Sequence, residues 1–151
     1  MTELKSRLQS DLTTAMKERD ELSTATLRML LTAVTNEEVA GKSARQLSDD
    51  EVEKVIGREA KKRREAAEAF EAAGRSEQAR RELDEETVLA RYLPEPLDDD
   101  ELAALVRDII AQVGASEQRQ MGQVMKVVTP QVAGRADGKR VSDEVRRQLA
   151  G

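Results

Sequence analysis

Apolar residues recur at three- and four-residue spacing along most of the chain, the repeat of a helix that buries one face. Leu4, Leu8, Leu12 and Met16 fall in one line with Ala15 beside them, while Glu3, Lys5, Arg7 and Asp11 take other faces. Thr2 stands where such a helix wants its N-cap. A second periodic run begins near Asp20 with Leu22, Ala25, Leu27, Leu30, Leu31 and Val34 and fades through Asn36-Glu37-Glu38 toward Gly41. Gly41 is expected to stop it in the left-handed region. The break between the two runs is short enough for a helical hairpin. Residues Gly41 to Gln46 lack a period and are expected to form a loop.

Ser48-Asp49-Asp50-Glu51 has the form of a capping box with an acidic first turn, followed by Val52, Val55, Ile56, Glu59, Ala60, Arg63, Ala67 and Phe70. This predicts the longest helix, ending at Gly74. Ser76 is expected to start its successor, with Ala79, Leu83, Leu89, Tyr92 and Leu93 inward. So short a connection implies antiparallel packing of the two.

The sharpest interruption is Leu93-Pro94-Glu95-Pro96-Leu97, where two prolines hold the backbone extended and deny helix on either side. It divides the chain into an expected N-terminal helical domain, 1–93, and a tail domain, 94–151. In the tail, Asp98 to Glu101 should cap a helix carrying Leu102, Leu105, Val106, Ile109, Ile110 and Val113 and ending at Gly114. A helix over roughly Glu117 to Thr129 points Met121, Val124, Met125 and Val128 inward. A loop through Pro130, Gly134 and Gly138 follows, and then a short helix capped by Ser142-Asp143-Glu144, with Val145 and Leu149 inward. The expected fold is all-α: long antiparallel helices in the first domain, three small helices in the second.

Composition narrows the chemistry. With one Phe and one Tyr the core must be aliphatic, as helix seams allow. The chain has neither histidine nor cysteine, so the commonest general base and metal ligand, the thiolate nucleophile and the disulfide are all missing. The acidic clusters 49–51 and 98–101 stand where helix starts attract negative charge. No phosphate-binding glycine motif occurs. Catalysis by the chain alone, a cofactor and a metal are therefore not expected. A start without a basic, apolar leader and the lack of any long uncharged apolar stretch predict a cytoplasmic protein with no membrane contact.

Charge then singles out two regions. A net charge of −5 disfavours indiscriminate nucleic-acid binding, so contact with a polyanion needs a local patch. The longest helix carries Lys61, Lys62, Arg63 and Arg64, next to Arg58 and interrupted by Glu59 and Ala60. Acids at helical spacing make a solvated, paired surface one reading of it and a docking stripe the other. Residues 115–151 hold seven cations against four carboxylates, a net +3, whereas residues 94–114 hold one cation against six carboxylates, a net −5. Glycines flanking Arg135 and Lys139 would let backbone amides approach a phosphate, or merely permit tight turns.

Gly122-Gln123-Val124-Met125-Lys126, then Gly134-Arg135-Ala136-Asp137-Gly138-Lys139, then Val141 and Val145, resemble the signature of the YqeY-like family. Leu27-Arg28-Met29-Leu30, Glu59-Ala60-Lys61-Lys62-Arg63, the Gly74-Arg75 turn and Ala90-Arg91-Tyr92-Leu93-Pro94 look like the same family, so the likeness spans nearly the whole chain. The family is the free-standing relative of the tail domain of GatB, the B subunit of the tRNA-dependent amidotransferase. The resemblance implies a helical domain joined to a helical tail that helps hold tRNA or another structured RNA. Gly122, Lys126, Gly134 and Arg135 correspond to the motif shared with GatB, and Lys139 and Arg140 to the part typical of YqeY-like proteins. Nothing corresponds to the catalytic domain of GatB, a carbon–nitrogen ligase component with glutamine as amido donor. The expected function is thus a non-catalytic RNA-binding adaptor. The alternatives are a protein-interaction module contacting tRNA-charging or amidotransferase proteins, and an accessory factor of a tRNA-dependent amidotransferase.

Overall fold

A computed structural model describes residues 2–132 and 134–151. Among them are seven α-helices, one short 3-10 turn and no strand: the protein is all-helical. The helices are α1 (Glu3–Lys17), α2 (Glu21–Glu38), α3 (Asp49–Ala72), α4 (Ser76–Ala90), α5 (Asp99–Val113), α6 (Met121–Val132) and α7 (Gly138–Ala150), with the 3-10 turn at Gln118–Gln120. Contacts gather the chain into two compact units, Met1–Leu93 and Pro94–Gly151.

In the first unit the aliphatic stripes meet as the periodicity requires, except that Met16 and Leu83, expected on the inward faces, are exposed. Leu8, Leu27, Leu30, Val34, Val52, Ile56 and Leu89 are buried together, and Leu47 joins them from the loop before α3. Removing each such side chain from water contributes about 1.5–3 kcal/mol. The turn between α1 and α2 is closed by Arg19 at φ 59°, a left-handed residue that is not glycine, and Asp20 then accepts the Ser23 N–H. Ser48 and Glu51 cap α3 reciprocally. Gly74 at φ 75° ends the α3 segment, and the Arg75 N–H donates to the Phe70 carbonyl. The three-residue turn sends α4 back along α3 as an antiparallel hairpin, tied by pairs of Arg63 with Glu82 and Glu85 and of Arg64 with Glu86, about equally far from Gly74 on either side.

Several local expectations are corrected. Thr2 does not cap α1 with its side chain; the Leu4 N–H instead donates to Asp49 Oδ1, so an acid at the start of α3 serves α1 as well. Gly41 is not left-handed. The end of α2 is held by Glu38, whose carbonyl accepts the Arg45 N–H and whose carboxylate takes Lys5 Nζ and the Leu47 N–H. Ser76, by contrast, starts α4 as expected, with Arg75 before it making no side-chain cap.

In the second unit Leu97, Leu102, Val106, Ile109, Val124, Val128, Val132, Val141, Val145 and Leu149 form one core. Asp98 and Glu101 make the capping box of α5, and Gly114 at φ 76° closes its other end. Here two boundaries move. Helix α6 runs through Pro130 to Val132, because Val132 still has a core place to fill. The last helix starts at Gly138, not at Ser142: Asp137 is extended and accepts the Arg140 N–H, which makes it the cap and lengthens α7 by a turn.

Candidate nucleic-acid interface

The proline segment enters the second unit through a latch formed by the Gly134-Arg135 loop. Gly134 sits at φ 82°, where a side chain would be strained and no neighbouring atom stands in the way of one. That turn lets the Arg135 N–H reach the Val132 carbonyl at 2.8 Å and aims the Arg135 carbonyl at the Leu97 N–H, also at 2.8 Å. The guanidinium completes the latch, with Nε donating to the Glu95 carbonyl at 2.8 Å. Pro94 and Pro96 have no N–H to offer, so the Leu97 amide and the Arg135 side chain carry this attachment.

The remaining tail cations differ in what they already hold. Lys139 is exposed and pairs with Asp143 at 2.9 Å, a hydrogen bond that holds the lysine above and the aspartate below their ordinary pKa values. Arg146 shares the same Asp143 at 3.2 Å. Arg140 is half-buried and reaches Asp99, at the start of α5, at 3.0 Å. Arg147 pairs with Glu144, and Arg119 with Glu117. Between α5 and α7, Arg140 and Arg147 line a shallow groove of about 460 Å³ together with the carboxylates of Asp99, Asp100, Asp143 and Glu144. Lys126 is different. It is exposed on α6 and has no ion-pair or hydrogen-bond partner among the described residues.

The structure therefore brings Arg135, Lys139 and Arg140 to the loop and first turn before and within α7, and places Gly122 and Lys126 on α6 one turn apart. Gly138, the other glycine beside Lys139, is not left-handed and simply opens α7. Sequence reasoning missed the carboxylate partners. Asp99 lies 41 positions from Arg140, a contact with no local signal, and Asp143, four residues beyond Lys139, becomes a helical pair only because α7 starts at Gly138 instead of Ser142.

The second basic run, Lys61 to Arg64, is met by acids throughout. Lys62 lies 3.0 Å from the buried Glu59, Lys61 3.9 Å from Glu65, and Arg64 2.7 Å from Glu86 on α4. Arg63 is mostly sheltered between Glu82 at 3.6 Å and Glu85 at 3.7 Å, and its Nη1 touches the Met29 sulfur. Burial, reinforced by Glu85, pushes the Glu82 carboxyl above the usual range. Arg63 and Arg64 join α3 to α4, Arg63 also reaches α2, and Lys61 and Lys62 pair within α3.

Among the described residues no group of three or more metal-ligating side chains converges, and no helix is long and apolar enough to cross a membrane. An all-helical chain with a glycine-latched, cation-bearing second unit is the class of protein defined so far. Residues 5–149 match the family described as Yqey-like protein, and the chain belongs to that family. A comparison with curated proteins finds no match.

Proposed function

We propose that this protein is a non-catalytic adaptor whose second unit docks on structured RNA, tRNA foremost, in the manner of the GatB tail that its motifs resemble. The observation that carries the reading is the charge asymmetry: a net +3 over residues 115–151 in a chain of net −5. Sequence-independent affinity for nucleic acid comes from cations meeting phosphates, and this segment is where an otherwise acidic chain offers them. Lys126 and Lys139 are the exposed contacts in this reading, Gly122 and Gly134 admit close approach, and Arg135 and Arg140 shape the surface. With one Tyr and one Phe in the chain, recognition by stacking unpaired bases is disfavoured against recognition of shape and backbone. The two compact units are proposed to be separate domains, 1–93 and 94–151.

The test is titration of labelled bulk tRNA with the full chain at low salt, by fluorescence anisotropy. Binding that weakens with salt is expected, and replacing Lys126 and Lys139 together by Glu should remove it while leaving the circular dichroism unchanged. No binding at low salt would sink the proposal.

A second reading, docking on a protein such as a tRNA-charging or amidotransferase component, is favoured by the α3–α4 hairpin. Past Ala60 the residues it buries before Val88 are Ala67 and Ala79, so its far half is a thin two-helix arm. A nuclease-resistant pull-down that depends on residues 61–87 would support this reading over the first.

A further inference from the structure

The second unit contains a surface set apart from its paired cations. From Gln118 to Ala136 nineteen consecutive residues include no Asp or Glu, in a chain where 30 of 151 residues are acidic. This stretch spans the 3-10 turn and all of α6. The helix buries Val124, Val128 and Val132, so Gly122, Lys126 and Thr129, spaced four and three apart, line up on the opposite, exposed side.

Three features leave that line open to a ligand. Gly122 weakens a helix relative to alanine, yet a Cβ there would meet nothing within 4 Å and its backbone is not left-handed. Gly57 on α3 shares this freedom, but it follows Glu53 by one helical turn and adjoins Arg58, which pairs with Glu37. The exposed Thr129 hydroxyl, like those of Thr14, Thr24 and Thr35, has no hydrogen-bond partner among the described residues and is free to meet a ligand, whereas Thr13, Thr32 and Thr87 donate theirs to the carbonyl four residues back. Pro130 has no N–H, so the Lys126 carbonyl loses the donor that a helix would give it four residues on. The face thus presents one unpaired ammonium, one unpaired hydroxyl, one under-used carbonyl and room for close approach, with no carboxylate on its own element to repel a phosphate.

We infer that this α6 face is the contact surface for the wide, shallow minor groove of an A-form RNA helix, with Lys126 on a phosphate and Thr129 and the Lys126 carbonyl on ribose 2′-hydroxyls. The inference rests on the proposed RNA-binding function and specifies its site and its ligand. Phosphates alone would favour a dense cationic patch. A sparse mixture of donor, acceptor and single cation suits the 2′-hydroxyl, which both donates and accepts and is what separates RNA from DNA. The α5–α7 groove is the weaker rival, because its arginines come with Asp99, Asp143 and Glu144 beside them.

The experiment measures affinity of the full chain for three duplexes of one sequence: RNA, DNA, and RNA with 2′-O-methyl groups. RNA is expected to bind at least tenfold tighter than either of the others, with a log–log salt slope of about −1 to −2, as one or two phosphate contacts dictate. Lys126→Glu should weaken RNA binding at least tenfold. Gln123→Arg, an exposed change that adds a cation beside this face without removing an assigned contact, should tighten it several-fold, so a gain is tested as well as a loss. Equal affinity for DNA and RNA overturns the 2′-hydroxyl assignment. RNA binding that ignores both α6 variants but vanishes with Lys139→Glu and Arg140→Glu places the contact on α7, overturning the inference and sparing the proposed function. No affinity for any RNA, including tRNA, overturns both, as would a nuclease-resistant protein complex that Lys126→Glu dissolves in a chain that binds no RNA.

Discussion

Replacing Arg135 by Ala separates two roles that a basic residue in a glycine loop can play. In the structure its Nε donates to the Glu95 carbonyl, 40 residues away, while its backbone carbonyl takes the Leu97 amide. The substitution removes the first bond and leaves the second. A hydrogen bond involving a charged group contributes about 1.5–3 kcal/mol net. Arg135 is half-exposed and Glu95 is exposed, so solvent screening brings the bond to about 1–1.5 kcal/mol, at or just below that range. Since 1.4 kcal/mol is a factor of ten, opening of the proline segment should become about five to ten times more frequent. Amide exchange at Leu97, followed by NMR, reads that opening directly, because the neighbouring prolines have no amide. Exchange there should accelerate by that factor while amides in α1 and α2 stay unchanged. The salt dependence of RNA binding gives the complementary readout: a latch residue leaves the slope alone, whereas a phosphate contact lowers its magnitude by about 0.9. Unchanged exchange at Leu97 together with a shallower slope would refute the latch.

Gly134→Ala forces a side chain into φ 82° and should cost about 1 kcal/mol, lowering the thermal midpoint by roughly 4–8 °C if the tail melts as its own unit; Gly138→Ala, at an ordinary helical position with open space, should be neutral or mildly stabilising, and a scanning-calorimetry comparison that shows equal losses contradicts the assignment. Glu38 is held below its ordinary pKa first by the Lys5 hydrogen bond and then by the Leu47 amide. Its stabilisation is therefore present above the unfolded value near 4.5 and is lost as pH falls through the lower folded value, so urea titrations should show Glu38→Gln destabilising at pH 7 and converging on the parent at low pH. Tyr92, the sole tyrosine, has its pKa raised by burial and by donating to Asp11 at 2.6 Å; ultraviolet titration should place its ionisation well above 10, and the stability it provides should fall away as pH rises past the unfolded value.

How much of this was legible depended on whether the cause was local. Helix content followed from the apolar repeat, and the capping boxes at Ser48 and Asp98 were written in four consecutive residues each. The α6 and α7 boundaries moved because burial of Val132 and Val141 outweighed the signals at Pro130 and Ser142. Gly41 looked like a helix stop, but Glu38 already secured that end through Lys5 and Leu47, contacts 33 and 9 positions away. For the site, the clustering of cations was visible, and their engagement was not: the bonds from Arg135 to Glu95 and from Arg140 to Asp99 join segments that only the fold brings together.

That difference in engagement decides where a polyanion gains most. A phosphate approaching α7 meets Lys139, Arg140 and Arg146, each already facing a carboxylate. Breaking such exposed pairs costs little. The Asp143 and Asp99 left behind then repel the same phosphate, so the net attraction is smaller than the cation count implies. On α6 the single cation, Lys126, has no pair to surrender and no acid on its own helix to leave behind. One unpaired lysine should therefore outweigh three paired cations: neutralising Lys126 to Gln should weaken RNA binding more than neutralising Lys139 and Arg146 together, and the reverse order, measured by anisotropy at matched salt, would return the interface to α7.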